Sequence, residues 1–160
     1  MPRKETISKR YIIDTAFLLA KQEGMENVTA RKLAAKAGCS TQPIFRQYEN
    51  MEDLWKDIFE RAVEFFGFYY EKSDRVGDEP FVDLGYGYIK FAMDEPCLFR
   101  LLFLGEIKYG KSMYEILNGD SGIVAKEMSK AKSNGVSDPG ELFTKMWIFI
   151  HGAACMSITG

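Results

Sequence analysis

The sequence predicts an all-helical protein with two parts, a three-helix head that contains a helix-turn-helix motif and a helical-bundle body. Apolar residues recur at helical spacing along most of the chain. No segment alternates apolar and polar residues for long enough to form a strand. Polar clusters rich in Gly, Pro, Ser and Asn divide the chain into about eight or nine helices. We expect the head at residues 1–50 and the body at residues 51–160.

Three short helices are expected in the head. The first runs from about Thr6 to about residue 23, and the second covers residues 30–37 after Thr29, an N-cap type of residue. The third covers about residues 41–47, with Ser40 or Thr41 as its cap and Pro43 in the first turn, where a missing N–H costs nothing.

Helix-capping and helix-breaking residues also divide the body into helices. Asn50 is expected to cap a long helix that continues to about residue 72, and Pro80 is expected to be the first residue of the next helix. A proline at position 96 begins a further helix that ends near residue 104. The polar cluster 118–122 separates the next two helices, and Asp138 caps the last one.

Composition excludes several classes of protein. No apolar run approaches the roughly 20 residues of a membrane span, and the N-terminus does not read as a signal peptide, so we expect a cytoplasmic protein without a membrane partner. The three cysteines, Cys39, Cys97 and Cys155, lack the paired spacing of zinc or redox motifs and are expected to be reduced, mostly buried thiols. Residues 1–50 carry a net charge of +4 and residues 51–160 carry −6, so the basic side is the head.

The segment 29–48 has the spacing of a helix-turn-helix motif. Ala34 permits a close helix crossing, Gly38 permits the turn, and Ile44 is expected to plug the helix pair. The exposed side of the third helix then offers groups that can bond bases or phosphates. These groups are Thr41, Gln42, Phe45, Arg46 and Gln47.

The run from Tyr11 to Leu54, including "VTARKLAAKAGCSTQPIFRQYENMEDL", resembles the DNA-binding head of the TetR family of transcriptional regulators. The resemblance implies that Thr29 and Arg31 contact phosphate and that the third helix reads the DNA. The residues expected to face DNA are Ser40, Thr41, Gln42, Phe45 and Arg46.

The chain departs from the family pattern at two backbone contacts. Phe45 replaces the usual tyrosine, and Met51 replaces the usual lysine. Both changes weaken attraction to phosphate. The basic residues near the N-terminus offset part of this loss. They are Arg3, Lys4, Lys9 and Arg10.

A weaker resemblance in the body links "DEPCLFRLLF" and "MWIFIHGAACM" to a TetR subgroup named for its Trp-His-Gly pattern, here Trp147, His151 and Gly152. Sixteen of the 22 aromatic residues follow residue 64, and they form either a dry core or a cavity for a small apolar effector. The candidate effector residues are Phe66, Tyr88, Phe103, Tyr114, Trp147 and His151. For His151 a structural role is favoured over ligand sensing.

The resemblance also implies a homodimer on a palindromic operator in double-stranded DNA, paired through the region from Trp147 to Met156. Relatives usually continue with one more helix after this region. Either that helix is missing from this chain, which ends at Gly160, or the dimer is built differently.

Other classes of function fit less well. His151 has Cys155 one turn away, but no acid is placed to orient the pair, so we expect no enzyme, no cofactor and no metal site. The alternative is a helical protein-interaction module, which explains the body and leaves the head unexplained. The effector, the operator sequence and the choice between repression and activation are not determined by the residues.

Overall fold

The computed structural model describes residues 7–160, and all regular secondary structure in this part of the chain is helical, with no strand. Arg3, Lys4 and the expected helix start at Thr6 lie outside the described residues. The nine α-helices of the described part are α1 Lys9–Glu23, α2 Ala30–Ala37, α3 Gln42–Gln47, α4 Met51–Lys72, α5 Val82–Asp94, α6 Pro96–Phe99, α7 Met113–Asn118, α8 Ile123–Ser133 and α9 Pro139–Thr159. The predicted all-α fold class is confirmed.

The chain forms two compact units, of which the first ends at Ala62 and the second is Val63–Gly160. The border therefore falls inside α4, twelve residues after the border expected from the cap at Asn50. The first turns of α4 belong to the first unit because their side chains are tied to it. Arg61, for example, forms an ion pair with Asp14 of α1.

The first unit has a small core to which each of its helices contributes. The contributing side chains are fully or almost fully buried: Ile12, Leu19, Leu33, Ala34, Ile44, Leu54 and Ile58. Side chains cap the first and last helices of the unit. Ser8 accepts the N–H of Tyr11 in α1, and Asn50, the expected cap of α4, accepts the N–H of Asp53 at 2.9 Å.

The second unit is organised around the packing of α5 against α9. Aromatic rings from α4, α5 and the α6 region fill its centre, and they are Phe66, Tyr88, Phe91, Phe99 and Phe103. α6 does not stop at Phe99 but continues as a π-helical turn, Arg100–Leu104, so the helix expected between residues 97 and 104 is present.

One expected helix start is wrong. Pro80 does not begin α5, because Phe81 adopts a left-handed backbone conformation with φ of 66° and the helix begins at Val82. Tertiary contacts hold Phe81 in this conformation. Its ring is buried and lies 5.7 Å from that of Phe143, and its N–H donates to Oε2 of Glu127 at 2.5 Å.

The cysteines are only partly as expected. Cys39, Cys97 and Cys155 are free thiols, but each is half-buried rather than buried. The three thiols therefore have similar exposure.

Candidate DNA-binding surface

The turn between α2 and α3 is built on Gly38. Its backbone is left-handed, with φ of 70° and ψ of 32°, a conformation that costs any residue with a Cβ atom. The N–H groups of Gly38 and Cys39 donate to the carbonyls of Ala35 and Ala34, at 3.3 and 3.0 Å. These two hydrogen bonds end α2, and the chain turns there toward α3, as the sequence predicts.

Two positions of the motif, one on α2 and one on α3, are buried in the core of the first unit. Ala34 is 4% exposed and Ile44 is completely buried, so the expected small contact and the expected plug are both in place. Full burial of an isoleucine side chain stabilises a fold by roughly 1.5–3 kcal/mol. α3 has only six residues, too few for a stable isolated helix, so it depends on the burial of Ile44 in the core.

The outward face of this motif carries the residues that the sequence assigned to DNA. Seven of the eight are exposed, and they are Thr29, Arg31, Ser40, Thr41, Gln42, Phe45 and Arg46. The eighth, Gln47, is half-buried. Phe45 is 48% exposed, so its ring is accessible to a partner.

The two threonines that precede the helices differ in their hydrogen bonds. Oγ1 of Thr29 accepts the N–H of Lys32 at 3.2 Å and so caps α2, as expected. Thr41 has a helical backbone conformation and makes no capping bond, so the expected side-chain cap of α3 at this residue is absent. Both hydroxyl groups keep a proton that can be donated to a phosphate oxygen.

Behind this face, Tyr48 is 4% exposed, and its hydroxyl donates to Oδ2 of Asp57 at 2.9 Å. Nζ of Lys9 lies 3.4 Å from the same carboxylate oxygen and 4.7 Å from the centre of the Tyr48 ring. Burial, followed by the hydrogen bond to Asp57, raises the pKa of Tyr48. Tyr48 is therefore a packing residue that fixes the end of α3 to α4.

Residues 12–58 match the model of a family described as bacterial regulatory proteins, tetR family. The matched segment begins in α1, ends in α4 and includes all eight residues assigned to DNA contact. No curated protein matches the chain. The match supports a DNA-binding transcriptional regulator with a TetR-type helix-turn-helix head.

The candidate effector residues of the second unit form one aromatic cluster. The ring of Tyr88 lies 4.8 Å from that of Phe103 and 4.7 Å from that of Trp147, and Phe66 lies 5.3 Å from Phe103. Tyr114 joins the cluster indirectly, through Phe143. Phe66, Tyr88 and Phe103 are at most 4% exposed, so these rings are packed against one another.

His151 lies at one side of this aromatic cluster, and each of its ring nitrogens has a polar contact. Its Nδ1 is 2.8 Å from the hydroxyl oxygen of Tyr88, and its Nε2 is 3.7 Å from Sγ of Cys155. Burial, with a smaller contribution from the charge of Lys108, lowers the pKa of His151. The sequence pointed to the His151–Cys155 spacing and named Tyr88 as an effector candidate, but it gave no sign that Tyr88 and His151, 63 positions apart, form a hydrogen bond.

Two surface grooves in this unit lie beside α4 and α5. One, of about 250 Å³, is lined by residues that include Phe65, Phe68 and Tyr69, and another, of about 320 Å³, is lined by residues that include Tyr86 and Met93. None of the six candidate effector residues lines either groove. Among residues 7–160, no group of three or more His, Cys, Asp or Glu side chains is placed to hold a metal ion.

The outer face of α9 is apolar and exposed. Phe149 is 77% exposed, Met156 is 75% and Ile148 is 68%, and the exposed Gly152 lies between them. In length and composition α9 could also cross a membrane, with a mean hydropathy of 1.2. A single helix of this kind is a weak indication, because an apolar interface between protein chains has the same composition.

Proposed function

We propose that this protein is a ligand-released transcriptional repressor that binds a palindromic operator as a homodimer and works in the cytoplasm, where a bacterial regulator meets its DNA. The observation that supports this most directly is that α3 buries Ile44 and exposes polar side chains on its opposite face. This helix lies in a segment that matches the TetR head. Such a helix presents its N-terminal half to the major groove.

The residues proposed to contact phosphate are Thr29 and Arg31, and those proposed to face base edges and adjoining phosphates are Ser40, Thr41, Gln42, Phe45, Arg46 and Gln47. Counterion release makes such binding dependent on salt. The first experiment is therefore fluorescence anisotropy with random duplex DNA and then with the promoter regions nearest the gene, at several salt concentrations. We expect the affinity to fall steeply as salt rises, and a protein-interaction module would show no such binding.

We infer that the dimer pairs through the outer face of α9, around Trp147 to Met156. The support is the exposure of Ile148, Phe149 and Met156, because isolated proteins rarely leave large side chains of this kind together in water. Gly152, where an added Cβ atom would meet nothing within 4 Å, permits a close approach of two such helices. Light scattering at micromolar concentration tests this, and a monomer with and without DNA would contradict it.

We propose that the effector is small and largely apolar and that it enters the aromatic cluster of the second unit, with His151 as the polar contact that orients it. We also propose that the body belongs to the Trp-His-Gly subgroup. The support is the convergence of Tyr88, Phe103 and Trp147 on one centre beside His151. Because these rings are packed, an effector must separate them, and this separation is the conformational change that would weaken DNA binding.

Thermal-shift measurements with a library of apolar compounds, followed by anisotropy on DNA with each compound that binds, test the effector site. A Trp147→Ala variant should lose the shift, whereas Phe68→Ala, in the groove beside α4, should keep it. An unchanged shift in Trp147→Ala would place the effector elsewhere.

A further inference from the structure

Three side chains of the second unit are joined by consecutive polar contacts, and DNA binding does not use them. Sγ of Cys155 lies 3.7 Å from Nε2 of His151, and Nδ1 of the same ring lies 2.8 Å from the hydroxyl oxygen of Tyr88. A thiol, a base and a third group that orients the base are the parts of an activated nucleophile. Here a tyrosine hydroxyl takes the orienting position that the sequence left empty.

Aromatic neighbours fix the plane of the imidazole ring. The ring of Trp147 stacks on it at 5.4 Å with an interplanar angle of 22°, and that of Phe99 stacks at 6.2 Å with an angle of 29°. Tyr88 is completely buried and cannot turn away. The direction from Nε2 to Sγ is therefore held by packing and not by the hydrogen bond alone.

The protonation states suit a proton transfer. Burial lowers the pKa of His151, so the imidazole is neutral at pH 7 and has a nitrogen lone pair to offer. Burial also raises the pKa of Tyr88, so its hydroxyl keeps its proton. A hydroxyl both donates and accepts, and when Nδ1 carries the ring proton, the Tyr88 oxygen accepts it and Nε2 is free to receive a proton from the thiol.

The other two cysteines provide a comparison within the same molecule. Cys39 and Cys97 are free and half-buried, as Cys155 is. The sequence contains a single histidine, and the thiol that contacts it is that of Cys155. If Cys155 reacts faster than the other two cysteines, its contact with His151 explains the difference, because the three thiols are similarly exposed.

From this geometry we propose that Cys155 is a covalent modification site for small planar α,β-unsaturated carbonyl compounds, with His151 as the proton acceptor and Tyr88 as the positioning residue. In the step, the thiol proton passes from Sγ to Nε2 and sulfur forms a bond to the β-carbon of the compound. The electron pair of the carbon–carbon double bond moves toward the carbonyl as an enolate, and the proton returns from Nε2 to the α-carbon. No oxidant or other reactant is needed.

The surroundings favour a planar apolar electrophile. The half-buried sulfur adjoins His151, whose ring is stacked against Trp147 and Phe99, so a flat conjugated molecule can lie against ring faces. A cationic reagent would lose hydration there and would also meet the positive charge of Lys108, which acts on the same imidazole. Small size is required because Cys155 is not fully exposed.

The regulatory consequence rests on the proposed function. An adduct on Sγ adds atoms beside a packed ring system, and this shifts the side of α9 that faces Tyr88. We expect the modified protein to bind DNA at least about fivefold more weakly, at the low end of the usual coupling between two sites.

The test is competitive labelling of the folded protein with less than one equivalent of N-ethylmaleimide, with the label on each cysteine measured by peptide mass spectrometry. We expect Cys155 to react at least about tenfold faster than Cys39 and Cys97, a modest share of the effect of a positioned base. Equal labelling of the three cysteines overturns the proposal, and this experiment needs no variant.

Variants then identify the base. His151→Gln keeps polarity and removes the base, so the rate at Cys155 should fall to that of Cys97 while the rates at the other two cysteines stay unchanged. Tyr88→Phe should reduce the rate at Cys155 severalfold. Circular dichroism confirms that each variant is folded, and an unchanged labelling ratio in a folded His151→Gln variant refutes the role of the imidazole. DNA anisotropy of the labelled protein is a separate readout, so a failure of DNA binding cannot be confused with a failure of labelling.

Discussion

The indole N–H of Trp55 donates a hydrogen bond of 3.0 Å to the backbone carbonyl of Val28, which ties α4 to the segment just before α2. Val28 is 1% exposed, so its carbonyl has little access to water. Trp55→Phe should lower the free energy of unfolding by about 1–3 kcal/mol, because a buried acceptor is left without a partner. Urea unfolding measures this.

The control for Trp55→Phe is Tyr11→Phe, which removes an exposed hydroxyl 3.5 Å from the carbonyl of Ala37. Its effect should stay within about 0.5 kcal/mol. Equal effects of the two changes would mean that the indole bond contributes nothing specific.

Gly38 is required by its backbone conformation and not by lack of space, since an added Cβ atom would meet nothing within 4 Å. Gly38→Ala should cost about 1–2 kcal/mol, because the left-handed conformation is strained for alanine. Gly67→Ala is the matched control, in the middle of α4, where a Cβ atom would make only an ordinary contact with Ser121. This change should stabilise the protein by about 0.5–1 kcal/mol. Thermal unfolding that shifts in the same direction for both variants would disprove the conformational explanation.

Arg46→Ala and Gln42→Ala should weaken operator binding by about 1–3 kcal/mol each while folding is unchanged, because both side chains are exposed on α3. Gln22→Ala on α1 and Arg100→Ala in the second unit remove the same side-chain types from other exposed positions and should have little effect. Mobility-shift titration measures all four variants. If Arg46→Ala binds as tightly as the parent, Arg46 does not read DNA.

Phe149→Glu should convert the proposed dimer into monomers, because a carboxylate at a two-fold contact faces its own copy without a cation. Met93→Glu is the control, since Met93 is 62% exposed on α5. Size-exclusion chromatography with light scattering distinguishes the two variants. Binding of the parent protein to neutral lipid vesicles, lost in Phe149→Glu, would instead assign α9 to a membrane surface.

Stability should depend on pH through His151, whose pKa burial lowers below the ordinary value of 6.5. The unfolded chain then binds a proton at a higher pH than the folded protein does. Stability is therefore full above about pH 6.5 and falls as the pH decreases from there through the folded pKa. The groups that surround the ring are Tyr88, Cys155 and Lys108.

His151 is the only histidine, so no other imidazole titrates in this window. Urea midpoints between pH 5 and pH 8 should fall toward acid in the parent protein and change less in His151→Gln. A parent protein that becomes more stable as the pH falls from 7 to 6 would reverse the expected sign.

The sequence by itself determined the helices and the chemistry of the α3 face. Caps and breakers such as Thr29, Gly38 and Asp138 act within a few residues of their position, so a local pattern is sufficient to locate helix ends. Exposure on α3 follows in the same way from helical period, because a buried Ile44 places Gln42 and Arg46 away from the core.

Tertiary structure decided what depends on residues far apart in the chain. Phe81 has a left-handed conformation in which it contacts Glu127 and Phe143, and α5 begins after the proline that the sequence favoured. The ties of α4 to the first unit move the border between the units from the cap at Asn50 to Ala62. Tyr88 meets His151 across 63 positions, and no local pattern encodes that approach, because it results from how α5 packs on α9.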